Sequence, residues 1–370
     1  MKHNPFLITG YKSSEYFCDR EIETGKLKEA LLNQRNITLI SSRRMGKTGL
    51  IMHVFAQLSK DSSLIPVYFD IMGTTSFNEF AEVFCNAVLQ AMSKTERAWK
   101  GFLKKLAALR PALTFDSLTG EPRISLDIRN EREIELTLDL VFKLIAERRQ
   151  SYIVAIDEFQ QIASYPEKNV EAILRAHVQK LINIRFIFSG SKKHMLSEMF
   201  SKPSRPFFNS TQMMFLEEID EDRYFDFIRQ HFSKKGKSID DEALDRIAAY
   251  TGIHTFYVQL LCNRLFSAFN KVSEREVKNT MHTILRENEP IYANYLNLLT
   301  IIQYKTLRAI AMDGVVENPT SGKFLNSHQL GAASTVSQAV LSLTGKEFIH
   351  NNAGKLSVQD KFFAQWIRTK

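Results

Sequence analysis

Short apolar runs alternate along the first half of the chain with segments whose apolar residues recur every three or four positions. Four of these runs have the length and composition of buried β-strands, and they lie at residues 37–40, 65–71, 152–156 and 184–188. Continuous apolar runs are typical of parallel strands that are covered on both faces, and the periodicity between them is helical. The pattern therefore predicts an α/β fold built on a parallel sheet.

The strand-like runs stop near residue 216, and only helical spacing follows. This spacing is found at residues 224–232, 240–250 and 256–269. We therefore predict a core domain over residues 1–215 and a small helical lid domain over residues 216–287.

One segment of the predicted core interrupts the alternation of helices and strands. Residues 111–128 carry alternating apolar positions on both sides of Thr119-Gly120, which is typical of a β-hairpin. We interpret the segment as an insertion that either decorates the core or contacts an assembly partner or DNA.

The last segment, residues 288–370, has the element order of a winged helix. Helical spacing is found at residues 302–311, 324–330 and 334–343. Two strand-like runs then flank the turn-rich residues 351–354, and Ser334 is the predicted N-cap of the third helix. Three helices followed by a β-hairpin predict a winged-helix domain.

The composition fits an ordinary globular protein of two or three domains, with 370 residues, 44% hydrophobic and 24% charged. No apolar run approaches the ~18–20 residues that span a bilayer, and the N-terminus lacks the apolar region of a signal peptide. We expect a cytoplasmic protein with no membrane partner. Three widely spaced cysteines predict neither a disulfide framework nor a zinc site. The net charge of +8 permits a polyanionic partner without requiring one.

The loop after the first strand carries the pattern of a phosphate-binding P-loop, because it ends in Gly46-Lys47-Thr48 and leads into an apolar-periodic helix. Gly46 lets the backbone approach phosphate oxygens, Lys47 reaches the β- and γ-phosphates, and the Thr48 hydroxyl is a candidate Mg²⁺ ligand. Ser41 stands where the full pattern has its first glycine, and the alternative is a surface loop that caps a helix. The predicted nucleotide-binding residues are Ser42, Arg43, Arg44, Met45, Gly46, Lys47, Thr48 and Gly49.

The buried run at residues 152–156 ends in two carboxylates, Asp157 and Glu158. Because ligands bind beyond the carboxyl ends of parallel strands, we expect both side chains to lie beside the P-loop. Asp157 would hold Mg²⁺ through its water shell, and Glu158 would act as general base on the attacking water. The alternative is an acidic pair that caps the next helix.

The run at residues 184–188 is followed by Ser189-Gly190-Ser191. In a hydrolysing site, such a strand supplies a polar side chain that senses the γ-phosphate. We take Ser189 as the catalytic candidate and keep Ser191 as its alternative, beside a plain strand-to-helix turn.

Together these motifs resemble the archaeal-type ATPases, a branch of the STAND division of AAA+-like P-loop ATPases. The resemblance rests on Arg43-Arg44-Met45-Gly46-Lys47-Thr48, on Asp157-Glu158-Phe159, and on the opening segments 4–6 and 16–23. It implies a P-loop NTPase parallel sheet followed by a helical lid and a winged helix, with ATP and Mg²⁺ as cofactors. It also implies that a hydrophobic pair and Arg20-Glu21 lie near the adenine.

The same resemblance implies two further site residues. His254 lies in a segment similar to the Gly-Gly-His-Pro-Phe-Tyr motif, which contacts the nucleotide in relatives, although Ile253 and Thr255 depart from that motif. Arg205 falls where the family has an arginine after the sensor strand, and such an arginine stabilises transition-state charge in cis or across a subunit boundary. The alternatives are a structural histidine and a surface arginine in a proline-rich turn.

Two main functions remain open. The first is a slow, Mg²⁺-dependent ATP-hydrolysing switch, whose ATP- or ADP-bound state controls contacts with a protein partner or with other copies of the chain. The second is a DNA-binding ATPase, like initiators or mobile-element proteins, that docks residues 324–358 on double-stranded DNA. A third alternative is a scaffold that does not hydrolyse ATP, and the intact P-loop and carboxylate pair argue against it.

The predicted third helix of the winged helix bears on this choice. Residues 290–370 hold eight Lys or Arg and four Asp or Glu, but this helix has no cation before Lys346. Its hydrogen-bonding residues are Ser334, Thr335, Ser337, Gln338 and Ser342. Such side chains read base edges, whereas phosphate contacts by cations dominate the affinity for DNA.

Overall fold

A computed structural model describes residues 4–61, 63–92, 112–115, 122–125, 131–147, 150–352 and 354–370. The described helices, α1 to α14 in chain order, are Glu21–Leu32, Lys47–Leu58, Phe77–Met92, Glu131–Ala146, Val170–Lys180, Lys193–Ser201, Glu221–Ser233, Asp241–Thr251, Thr255–Ala268, Glu274–Asn297, Ile301–Asp313, Gly322–Ser327, Ala333–Gly345 and Lys361–Arg368. The described strands, β1 to β11, are Ile37–Ile40, Leu64–Asp70, Ala112–Phe115, Pro122–Ser125, Ser151–Asp157, Ile184–Gly190, Gln212–Phe215, Ser238–Ile239, Lys271–Val272, Ile349–Asn352 and Lys355–Val358.

The central sheet has five parallel strands in the order β2-β5-β6-β1-β7. The predicted α/β class and the four predicted strands are confirmed. The fifth strand, β7, was not predicted, because it lies at the sheet edge and only Met214 of its four residues is buried. A short edge strand of this kind lacks the continuous apolar run that reveals the central strands.

The apolar residues of β5 divide between two layers of helices because successive side chains point to opposite faces of a sheet. Ile153 and Ala155 pack in one cluster with α1 and α2, whereas Tyr152, Val154 and Ile156 pack in a second cluster with α3 to α6. Both faces of the strand are therefore covered, which explains why its sequence is apolar throughout.

The predicted hairpin within residues 111–128 is present as β3 and β4, which pair antiparallel with Ala112 opposite Ser125 and Phe115 opposite Pro122. The predicted turn at Thr119-Gly120 lies outside the described residues. Strand β4 contacts α3, so the hairpin is attached to the helical layer of the core.

Contacts divide the chain into two compact units, residues 10–217 and residues 1–9 with 218–370. The first residues join the helices of the second unit because Phe6 is fully buried against Phe232 and Phe266, with ring centroids 5.7 Å from each. The Asn4 side chain donates to the carbonyl of Asn263 at 2.8 Å, and the Asn263 side chain donates to the carbonyl of Phe6 at 2.7 Å.

Helix α10 passes through the predicted boundary between residues 287 and 288. It includes Pro290, which is exposed and therefore removes a helix hydrogen bond where water is available. The boundary between a lid and a winged-helix domain stays a prediction. Within the described residues, no helix is both long and apolar enough to cross a membrane.

The C-terminal elements follow the predicted order, with α11, α12 and α13 leading into the antiparallel hairpin of β10 and β11 and then into α14. Helix α14 is anchored by Phe363 and Trp366, whose rings lie 5.2 Å and 5.6 Å from that of Tyr292. The predicted N-cap at Ser334 is wrong, because α13 begins at Ala333 and Ala332 is its cap. Ser334 is an exposed residue of the first turn.

Candidate active site

The P-loop connects β1 to α2 inside the first unit. Gly46 precedes α2 with a φ of 95°, a left-handed conformation that glycine adopts without strain. Ser41 is fully buried and its hydroxyl donates to the carbonyl of Ser42 at 2.9 Å, so the residue that replaces the first glycine folds inward. The predicted residues 42–49 therefore form one continuous turn that ends in the first turn of α2.

Lys47, the first residue of α2, is buried and faces carboxylates of the neighbouring strands. Burial lowers its pKa, and the charges of Asp157, Glu158 and Asp70 act in the opposite direction. A buried ammonium beside a helix N-terminus provides the positive potential that a phosphate chain requires.

Asp157 ends β5 and is held by donors from three elements. The Thr48 hydroxyl donates to Oδ2 at 2.7 Å, the Tyr68 hydroxyl donates to the same oxygen at 3.0 Å, and the Glu158 amide donates to Oδ1 at 3.0 Å. Tyr68 belongs to none of the motifs that the sequence displays. Burial and the charge of Asp157 raise the pKa of Tyr68 well above its usual range, so its hydroxyl remains a donor.

Glu158 follows Asp157 with a φ of 55°, an uncommon conformation for a residue with a side chain. Its Oε2 accepts from the side-chain amide of Gln160 at 2.5 Å. The same oxygen accepts from the Ser191 hydroxyl at 2.7 Å and from the Ser191 backbone amide at 3.2 Å. Ser191 is thus the serine in contact with Glu158, although Ser189 was the chosen candidate. Ser189 Oγ is fully buried and has no hydrogen-bond partner within the part of the chain that the structure describes.

Gly190, the last residue of β6, makes room for the contact between Gln160 and Glu158. A Cβ at this position would lie 2.0 Å from Gln160 Oε1 and 3.1 Å from a Leu196 methyl. No real Cβ tolerates the first distance, so any larger residue would displace the Gln160 amide from Glu158.

Asp70 adds a third carboxylate to this edge of the sheet, because it ends β2 directly opposite Asp157. The Met72 amide donates to its Oδ1 at 2.7 Å. Partial burial raises its pKa, and this hydrogen bond acts in the opposite direction. The end of a predicted strand was its only signal in the sequence.

The segment before α1 carries Phe17 and Arg20, and Phe17 lies against the first turn of α2. The Phe17 ring is 3.4 Å from the position that a Cβ on Gly49 would occupy, which brings the segment before α1 against the P-loop helix. Arg20 is buried and its Nη1 donates to Glu23 at 2.8 Å, while its Nη2 has no partner among the described residues. A buried donor without an acceptor is a suitable contact for a polar ligand.

Arg205 forms an ion pair with Glu171 on α5. Burial raises the pKa of Glu171, and the Arg205 charge lowers it. The guanidinium that was predicted to stabilise transition-state charge is therefore engaged by a carboxylate of the same unit, and its catalytic role stays a prediction.

His254 belongs to the second unit, where it precedes α9 and its ring lies 5.0 Å from that of Tyr257. Gly252 and Ile253 both have a φ of 56°. Ile253 therefore adopts the conformation that suits the glycine of the family motif, at a steric cost that a β-branched residue rarely bears.

Within the described residues, no group of three or more His, Cys, Asp and Glu side chains is arranged to hold a metal ion. Mg²⁺ needs fewer protein ligands when a nucleotide is present, because phosphates and water complete its coordination. The Thr48 hydroxyl and the Asp157 carboxylate are oxygen ligands of the right type, so these residues fit Mg²⁺ bound together with a nucleotide.

A buried lysine at a helix N-terminus and two carboxylates at the carboxyl edge of a parallel sheet define a P-loop nucleotide-binding protein. The chain belongs to the family described as an ATPase domain predominantly from Archaea, which matches residues 17–261. Residues 290–369 match a probable winged helix domain. The predicted family and winged helix are confirmed, and the placement within the STAND division stays a prediction.

Solved structures show the same fold. The Walker-type ATPase PABY2304 of Pyrococcus abyssi is 16% identical with a TM-score of 0.66, over 98% of this chain and 99% of that chain. The ORC2 protein of Aeropyrum pernix, in ADPNP-ADP complexes, is 13% identical with a TM-score of 0.57, over 99% and 98%. The ORC1 protein of Aeropyrum pernix, in complex with DNA, is 13% identical with a TM-score of 0.53, over 95% and 92%. No curated protein matches the chain.

Proposed function

We propose that the protein is a slow, Mg²⁺-dependent ATPase that works as a nucleotide-controlled switch. One observation carries the proposal: Thr48 of the P-loop donates to Asp157 at 2.7 Å, directly beside the buried Lys47 and the base candidate Glu158. These are the side chains that phosphoryl transfer to water requires, and they come together from separate parts of the sequence.

Each residue has a distinct task in this proposal. Lys47 and the amides at the N-terminus of α2 neutralise the phosphate oxygens, while Thr48 and Asp157 would hold Mg²⁺. Bound Mg²⁺ would supply further neutralisation of the phosphate charge. Glu158 orients the attacking water and accepts its proton, so that ATP and water give ADP and inorganic phosphate.

Slow turnover is supported by the contacts of Glu158. Three hydrogen bonds to Oε2 occupy the carboxylate oxygen that would otherwise accept from the attacking water. The base reaches full activity only when some of these contacts are exchanged for the attacking water. A partner that favours this exchange would stimulate hydrolysis.

A switch requires that the bound nucleotide changes the position of the winged helix. Contacts between the predicted lid and α14, both in the second unit, support such a connection. The Tyr257 ring, three residues after His254, lies 4.9 Å from that of Phe362 in α14. The Gln365 side chain of α14 donates to the carbonyl of Tyr250 at 3.5 Å. We propose that residues 216–287 act as a lid in which His254 senses the nucleotide, and that α14 carries its movement to the winged helix.

The decisive test compares the wild type with Glu158→Gln and Lys47→Ala, measuring ATP binding and ATP hydrolysis separately. We expect the wild type to hydrolyse ATP, Glu158→Gln to bind ATP without turnover, and Lys47→Ala to lose binding. A wild type that neither binds nor hydrolyses ATP would overturn the proposal and leave a scaffold on an ATPase fold.

A DNA-binding ATPase is the second candidate function. It is favoured by the winged helix and by the similarity to the Aeropyrum pernix ORC1 protein, whose structure was solved in complex with DNA. On the other hand, the exposed residues of α13 include no cation, and Leu341 is 64% exposed. Because cations dominate the affinity for DNA, a helix face without cations favours a protein partner or a second copy of the chain.

Mobility shift with random duplex DNA at low and physiological salt separates these candidates. Binding that falls steeply with salt, together with DNA-stimulated hydrolysis, would select the DNA-binding function through residues 324–358. Absence of both at low salt would select protein contacts.

A further inference from the structure

Tyr68 reaches the candidate metal site from a strand that carries none of the predicted motifs. It lies two residues before the end of β2 and pairs in register with Ala155 on β5, so Asp157 is its diagonal neighbour on the same face of the sheet. A diagonal neighbour lies within reach of a long aromatic side chain. The Tyr68 hydroxyl bridges this gap and donates to Asp157 Oδ2 at 3.0 Å.

The ring of Tyr68 is itself fixed. It packs against the apolar cluster that joins α1 and α2 to the sheet and includes Leu50, Val54 and Ala155. A phenol held by packing has few alternative rotamers, and its hydroxyl is therefore a stationary donor. Thr48 is the other side chain that donates to Oδ2. Because Thr48 is also a candidate Mg²⁺ ligand, its hydroxyl would have to serve both Asp157 and the metal.

We propose that Tyr68 is a positioning residue for the Mg²⁺ site, and that its hydroxyl fixes the orientation of the Asp157 carboxylate before the metal and the nucleotide arrive. This inference rests on the proposed function. Partners that orient ligands of this kind affect metal affinity by about 10–100-fold in other proteins. Tyr68 thus sets how much Mg²⁺ the protein needs, whereas Lys47 sets whether ATP binds.

The test is the variant Tyr68→Phe, which removes one oxygen and leaves the ring in place. Binding of a fluorescent ATP analogue is measured over a Mg²⁺ titration and also in EDTA. We expect the half-saturating Mg²⁺ concentration to rise about tenfold. Affinity in EDTA should be unchanged, and kcat should return to within about twofold of the wild type at saturating Mg²⁺.

Tyr152→Phe is the matched control, because Tyr152 is a fully buried tyrosine at the opposite, amino-terminal end of β5. It should bind Mg²⁺ like the wild type. An equal shift in both variants, or weaker binding of Tyr68→Phe in EDTA, would mean that loss of a buried tyrosine hydroxyl disturbs the core in general, and would overturn the proposal. So would a wild-type Mg²⁺ requirement in Tyr68→Phe.

A double-mutant cycle with Asp157→Asn sharpens the result. If Tyr68 acts through Asp157, adding Tyr68→Phe to Asp157→Asn should not shift the Mg²⁺ requirement any further, while independent effects would add. The failure of the proposed function looks different: the wild type would then show no Mg²⁺-dependent nucleotide binding at all.

Discussion

The carboxyl edge of the central sheet and the outward face of α13 are both polar surfaces, yet they are built in opposite ways. At the sheet edge, Asp157 and Glu158 each accept three hydrogen bonds, and the donors Thr48, Tyr68 and Ser191 come from distant parts of the sequence. On α13, Ser334, Thr335 and Gln338 are exposed beside Leu341. The side chains at the sheet edge hold one another in place before any ligand binds, whereas those of the α13 face are exposed to solvent.

The largest effect is expected from Glu158→Gln at the sheet edge. The glutamine amide cannot accept a proton from the attacking water, so the variant lacks the proposed general base. We expect kcat to fall by about 10²–10⁴-fold while ATP affinity changes little. Single-turnover hydrolysis and equilibrium binding measure the two quantities. Glu242→Gln, at an exposed helix position, is the control, and similar turnover in both variants would contradict the role of Glu158 as base.

Gly190→Ala probes whether the sheet edge tolerates any added volume. The new methyl group would overlap the Gln160 amide, so we expect a loss of about 1–3 kcal/mol in the free energy of unfolding and altered turnover. Denaturant unfolding measures the loss. Gly73→Ala is the matched control because its Cβ meets nothing within 4 Å, and equal stability of the two variants would show that the packing around Gln160 is loose.

Arg205→Ala separates a catalytic from a structural role of this guanidinium. Removing the guanidinium leaves the partly buried Glu171 without its cation, and we expect a loss of about 1–2 kcal/mol at pH 7. Because burial already raises the folded-state pKa of Glu171, the carboxyl stays protonated at low pH, and the loss should shrink as pH falls below this pKa.

Unfolding of this variant at pH 4 and at pH 7 measures the pH dependence. A catalytic arginine would also lower kcat far more than ATP affinity. Equal loss of kcat and of affinity would reduce Arg205 to a structural partner of Glu171.

The smallest effect is expected on α13. Leu341→Ser replaces an exposed side chain that does not pack in the core. The free energy of unfolding should therefore change by no more than about 0.5 kcal/mol, and the basal ATPase rate should equal that of the wild type within the error of measurement. A matched core variant, Leu343→Ala, should cost about 2–5 kcal/mol because Leu343 is fully buried. A large loss in Leu341→Ser would show that this face is part of the folded core.

The same contrast explains what the sequence could reveal. Two motifs of the site follow apolar runs in the sequence, and they contain Lys47, Thr48, Asp157 and Glu158. Such motifs can be recognised without knowing which strands are neighbours in the sheet. Tyr68 could not be recognised in this way, because its contact with Asp157 depends on β2 lying beside β5. The choice between Ser189 and Ser191 could not be made either, because the contact of Ser191 with Glu158 depends on β6 lying beside β5. Hydrophobic periodicity carries no information about strand order.

Element ends were the other source of error. Ser334 has the chemistry of an N-cap, but the N-cap lies two residues earlier at Ala332, which makes no side-chain hydrogen bond. Strand β7 was missed because an edge strand buries little. Caps and edges depend on tertiary contacts, which override local preference where the local signal is weak.

The burial of Phe6 has a consequence for how the chain folds during synthesis. Asn4 hydrogen-bonds the hydroxyl of Ser267, a partner 263 positions later in the chain. Residues 4–6 are synthesised well before Phe232 and Phe266, so they lack these native contacts until the helices around both rings have been made. Contacts of such large separation slow folding and leave apolar surface exposed meanwhile. Residues 218–370 expressed alone would have a cavity in place of the Phe6 ring. A peptide of residues 1–9 should bind in this cavity.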